Sequence, residues 1–121
     1  MIYDIKETEF KEAIQRKGLV LLDFWAPWCG MCRVESDLLE PFSREEKYQD
    51  IHVIRINTDE APHIVNELLI ASFPSLLLYK DGKLVERSEG VFMNEEKLGQ
   101  WVRAHRDNTT SLSSSSKLFD K

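Results

Sequence analysis

Apolar positions along the 121-residue chain change period several times, and each change marks an element. In the segment 7–16, Phe10, Ala13 and Ile14 recur at i, i+3 and i+4, which predicts an amphipathic helix, and Gly18 stands where a helix stop belongs. Leu19-Val20-Leu21-Leu22-Asp23-Phe24-Trp25 then runs apolar without alternation, the pattern of a strand buried on both faces of a sheet. Helical spacing returns from Cys29 to about Tyr48, with Val34, Leu38, Leu39 and Phe42 on one side and Pro41 expected to kink or divide the helix. The run 51–57 reads as a second strand, followed by a helix over 60–69 with Asp59 as its cap and Pro62 in its first turn. Strands at 75–80 and 83–88 flank the Asp81-Gly82 hairpin turn, and a last helix runs from an Asn94 cap to about His105. A short leading strand at 2–5 completes the set.

Strands alternating with helices imply parallel pairing, while the Asp81-Gly82 turn demands an antiparallel pair. The expectation is an α/β protein: a mixed central β-sheet flanked by helices on both faces, one domain over residues 1–106. Residues 107–121 are serine-rich, cannot bury a core and are expected to form a disordered tail of cloning residue or linker.

Composition narrows the partners. Apolar residues at 42% and charged residues at 31% are those of a soluble globular protein. The net charge of −5 lacks any basic block and so disfavours nucleic acid and anionic lipid. No apolar run approaches the roughly 20 residues of a membrane span, and the first residues do not read as a secretory signal.

The chemistry-bearing stretch is W-A-P-W-C-G-M-C-R at 25–33, which holds both cysteines of the chain. Between a buried strand and a helix, Cys29 falls at the helix amino terminus, where free N–H groups and the macrodipole stabilise a thiolate. Such placement lowers a thiol pKa from about 8.5 into the range of about 3.5–7.5. Cys29 is then the nucleophile toward a substrate disulfide, and Cys32, one turn on, resolves the mixed disulfide. Gly30 lets the backbone turn tightly and a substrate approach closely. Zinc is the rival reading, but a structural site needs about four ligands, and His52, His63 and His105 show no paired spacing. An inert pair in a reduced core is the other rival, opposed by Trp28 and Gly30, which suit an exposed turn. No metal and no cofactor are therefore expected. Asp23 is an acid inside an apolar strand. Burial would raise its pKa and equip it to exchange a proton with a thiol, unless its carboxylate simply reaches solvent at the strand end.

With these residues in view, the chain over about residues 2–105 resembles thioredoxin. The resemblance rests on D-F-W-A-P-W-C-G-M-C-R at 23–33, R-I-N-T-D at 55–59, F-P-S at 73–75, K-D-G at 80–82 and Gly90. It implies the thioredoxin-like fold and protein-disulfide reduction in the cytoplasm by a monomer acting on disulfide-containing proteins. A thioredoxin-reductase-type electron donor would recharge it. It assigns Cys29 and Cys32 as the exchanging pair and Asp23 as the buried carboxylate serving Cys32. Arg55 stands where the family often has a lysine, and Pro74 at the family's cis-proline. Trp28, Phe73, Pro74 and Gly90, with Gly30 and Met31 beside the cysteines, form a shelf for a substrate strand. Two departures stand out: the dipeptide between the cysteines is Gly-Met rather than Gly-Pro, and Asp37 replaces a helix proline that here comes later as Pro41. Met31 keeps an N–H that proline lacks, which should make the pair more oxidising. Glu35 and Asp37 are expected on a solvated charged face. The same fold working as an oxidant or isomerase, or as a binding module with incidental redox activity, are the alternatives.

Overall fold

The computed structural model describes residues 2–92 and 94–107. Five strands form one sheet in the order β1-β3-β2-β4-β5. They are β1 (Ile2–Ile5), β2 (Leu19–Trp25), β3 (His52–Asn57), β4 (Ser75–Lys80) and β5 (Lys83–Glu89). β3 pairs parallel with both β1 and β2, whereas β4 pairs antiparallel with β2 and β5. The expected mixed sheet is therefore present, with the most apolar strand, β2, at its centre.

Because side chains alternate along a strand, β2 feeds two cores. Val20, Leu22 and Phe24 face one side with Phe10 and Ile14 of helix α1 (Phe10–Ile14) and Ile64 of α3 (Pro62–Glu67). Leu19 and Leu21 face the other, against Leu39 and Phe42 of α2 (Gly30–Arg44) and Leu98 and Val102 of α4 (Glu95–Arg106). Each fully buried leucine or phenylalanine there contributes roughly 1.5–3 kcal/mol. Two-sided burial is why β2 carries no alternation.

Several local expectations are corrected. The first helix shrinks to a 3-10 turn at Glu7–Glu9 followed by five α-helical residues. Asp59 is no cap: it lies inside a 3-10 turn, Thr58–Glu60, whose own cap is Asn57, with Asn57 Oδ1 accepting from the Asp59 N–H at 2.9 Å. α3 begins beyond it at Pro62, whose missing N–H costs nothing in a first turn. α2 continues through Pro41 undivided and ends at Arg44. The Asn94 cap holds, its side chain accepting from the Lys97 N–H at 2.8 Å. The serine-rich stretch lies, from residue 108 on, outside the described residues.

Candidate active site

Strand β2 delivers the chain from the sheet centre into the first turn of α2, and both cysteines sit at that junction. Cys29 is the N-cap of α2 and is bonded to Cys32 as a disulfide, with Cα atoms 5.3 Å apart. The Cys32 amide donates to Cys29 Sγ at 3.1 Å. Cys29 is half-buried, whereas Cys32 is 2% exposed. The accessible sulfur is thus the one at the positive end of the helix, next to an aimed N–H donor, which stabilises it as a thiolate. That donor is the Cys32 amide, not the Met31 amide. Met31 stands on the outer side of the same turn, 54% exposed.

Gly30 does not adopt a left-handed conformation, so a tight turn is not what needs glycine there. A Cβ at that position would meet nothing within 4 Å, which leaves its face open to an approaching chain. Trp28 is exposed, donates its indole N–H to Asp59 Oδ1 at 3.1 Å, and meets the Phe73 ring edge-on with centroids 5.3 Å apart. The bond to Trp28 gives Asp59 a function that its sequence context did not suggest. The Phe73-Pro74 bond is cis. Pro74 itself is buried, and its carbonyl accepts from the Gly90 N–H at 2.9 Å, with Gly90 at φ +93°. The structure thus brings together Trp28 with half-buried Phe73, and Gly90 with the buried Pro74, while Met31 is exposed in the first turn of α2.

Asp23 does not reach solvent. It is fully buried on the face of β2 that α2 covers, and Arg55, its register partner on β3, donates from Nε to Oδ2 at 3.0 Å. Oδ1 has no hydrogen-bond partner. Burial raises the Asp23 pKa to about 6, against the opposing pull of Arg55. The Arg55 guanidinium also lies 4.8 Å from the Trp25 ring centroid. Arg55, Trp25, both cysteines, Arg33 and Ser36 line a small cavity of about 180 Å³ that reaches from the disulfide to Arg55, the partner of Asp23. Among the described residues, no group of three or more His, Cys, Asp or Glu is placed to hold a metal ion.

Glu35 overturns an expectation. Asp37 lies on the solvated face, but Glu35 is 0% exposed, and Val34, expected inward, is 46% exposed. The buried stripe of α2 runs Cys32, Glu35, Leu39 and Phe42.

The thioredoxin family model matches residues 1–104. The chain belongs to the thioredoxin family. Thioredoxin of Porphyra purpurea is 40% identical over 91 residues, covering 74% of this chain and 84% of that one. Thioredoxin of Chlamydia muridarum is 33% identical over 106 residues, 88% of this chain and all of the relative. Among solved structures, Malassezia sympodialis thioredoxin superposes with a TM-score of 0.77 at 24% identity, covering 88% of this chain and 91% of that one. The thioredoxin-like fold expected from the sequence is thus present, and Cys29–Cys32 is spaced as the redox-active pair of a thiol–disulfide oxidoreductase.

Proposed function

We propose that the protein reduces protein disulfides in the cytoplasm as a monomer, drawing electrons from a reductase of the thioredoxin-reductase type. The observation that carries this reading is the asymmetry of the pair: Cys29 accessible at the α2 amino terminus, Cys32 buried one turn below. In the dithiol form, the Cys29 thiolate attacks one sulfur of the substrate disulfide. That bond breaks, and the departing substrate thiolate takes a proton. Cys32 then loses its proton to the Asp23 carboxylate and attacks Cys29 Sγ, expelling the second substrate thiolate. Two electrons pass to the substrate, and Cys29–Cys32 ends as the disulfide seen here. The cavity of about 180 Å³ supports the proton step, since it has room for water between Cys32 and Arg55, the partner of Asp23. Trp28, Met31 and Phe73 offer an apolar footing with little side-chain selectivity, which suits many substrates. Among the described residues, no helix is long and apolar enough to cross a membrane.

The test is turnover of a disulfide-bonded protein substrate with a supplied dithiol reductant. Cys29→Ser should abolish turnover, and Cys32→Ser should accumulate a mixed disulfide through Cys29. Activity surviving Cys29→Ser would overturn the mechanism. Substrate capture undiminished in the Cys29→Ser/Cys32→Ser double variant would instead support the binding-module reading.

A further inference from the structure

Among the described residues, Glu35 is the one fully buried acid that the exchange reaction leaves unused. Neither of its carboxyl oxygens has a hydrogen-bond partner among the described residues. It follows Cys32 by three residues on the covered stripe of α2, and residues so spaced are neighbours on one helix face. That stripe packs on the sheet face shared by Leu21, Leu76 and Leu78, the face that also carries Asp23 and Arg55. Asp23 is equally buried, with Oδ2 held by Arg55 and Oδ1 unpartnered. Two carboxyl groups and one guanidinium thus lie between α2 and the sheet face that it covers.

An ionised carboxylate without hydrogen bonds in such a place is costly, so the group keeps its proton. Burial, with the Asp23 charge adding to it, raises the Glu35 pKa to about 8. The Phe92 backbone pulls weakly the other way, short of a formed hydrogen bond. No other charged group among the described residues acts on Glu35: β4 presents Leu76, α4 presents Leu98 and Val102, and Arg33 on its own helix is exposed. Asp23 in turn feels Arg55 and Asp4.

We propose that Asp23 and Glu35 together carry one proton between α2 and the sheet at neutral pH. Glu35 is then a positioning residue that sets the charge against which Asp23 takes the proton of Cys32. At rest the proton is on Glu35 and the charge on Asp23. When Cys32 attacks the mixed disulfide, its proton passes to Asp23, and the two carboxyls are briefly both neutral. The proton then leaves as the substrate thiolate is released, and the resting count of one returns. Above the Glu35 titration both groups are anionic, and that second charge strengthens the hold of Asp23 on a proton.

This inference rests on the exchange chemistry above, and its test reads Glu35 separately from turnover. In the full-length protein, side-chain carboxyl 13C shifts should show Glu35 titrating near pH 8 in the oxidised form. In single-turnover measurements, Cys32-dependent resolution of a preformed mixed disulfide should show a rate step at the same pH. Both Glu35→Gln and Glu35→Leu should lose that step. Leucine suits the apolar stripe, so a glutamine variant that failed to fold would still leave a reading. Glu35 titrating in the ordinary carboxylate range, or a step surviving in the leucine variant, would overturn the proposal. Should the protein resolve no mixed disulfide at all, the exchange mechanism fails, and the 13C titration alone decides the proton count.

Discussion

Arg55 and Asp23 face each other across the parallel β2–β3 pairing, with Arg55 Nε donating to Asp23 Oδ2 at 3.0 Å. The bond satisfies one oxygen of a carboxylate that burial would otherwise keep protonated, and it holds the Asp23 pKa down to about 6. Arg55→Met is expected to raise the Asp23 pKa further and to move the acidic limb of the resolution rate toward higher pH. Stability at pH 8 should fall by on the order of 1–3 kcal/mol, since a buried charge loses its partner. Urea unfolding at pH 5 and pH 8 checks this; an unchanged acidic limb would contradict it.

Asp23 makes stability depend on pH in a stated direction. Its native pKa is above the model-peptide value, so the folded state binds more protons than the unfolded one between about pH 4 and pH 6. Stability is therefore highest below pH 4 in this contribution and is lost as pH rises through 6. Asp23→Asn should flatten that slope and gain about 3 kcal/mol relative to the parent at pH 8. The same variant should slow mixed-disulfide resolution on the order of 100-fold, the low end of general-base effects. Denaturant titrations across pH, paired with single-turnover rates, separate the two effects.

Glu35 extends the same dependence upward. The relative stability of Glu35→Leu over the parent should grow between about pH 4.5 and pH 8 and level off beyond. The total change is on the order of 3–5 kcal/mol. Thermal unfolding at pH 5 and pH 9 measures it, and a difference independent of pH would place the Glu35 pKa in the ordinary range.

Met31 occupies the first turn of α2 beside a sulfur already bonded by the Cys32 amide. Proline at 31 would delete one N–H of the first turn of α2 while leaving the Cys32 donor in place. Met31→Pro removes a first-turn N–H at the positive end of α2 and is expected to make the protein more reducing, by less than the roughly 30 mV that a direct hydrogen bond of about 1.4 kcal/mol would account for. Redox titration against glutathione decides it; no change, or a more oxidising variant, would refute the role assigned to Met31.

What could be read in advance divides along physical lines. The strands were legible because two-sided burial forces β-branched and apolar runs, and the exchanging pair because C-x-x-C between strand and helix permits little else. Glu35 was not legible. The buried face of α2 is phased by Cys32, which brings 35, 39 and 42 inward at spacings of three, four and three, and turns Val34 out. An acid in that phase contradicts the pattern by which faces are assigned, so charge outvoted period. Asp59 failed for a similar reason: an acid before a helical run resembles a cap, whereas Asn57 two residues earlier takes the backbone and leaves Asp59 to Trp28. The burial of Pro74 goes with Gly90 closing over its carbonyl, a contact sixteen residues away along the chain.

The hydrogen bond from the Cys32 amide to Cys29 Sγ has one more consequence. The buried partner of the disulfide holds the donor that meets the charge left on Cys29 once both cysteines are free, and that donor is fixed in a helix turn. The solvation of the thiolate is thus already in place before an electron arrives. Reduction adds negative charge at a pair that was neutral while asking almost nothing of the backbone, so the two redox forms should present nearly the same surface to their partners and be told apart by electrostatics rather than by shape.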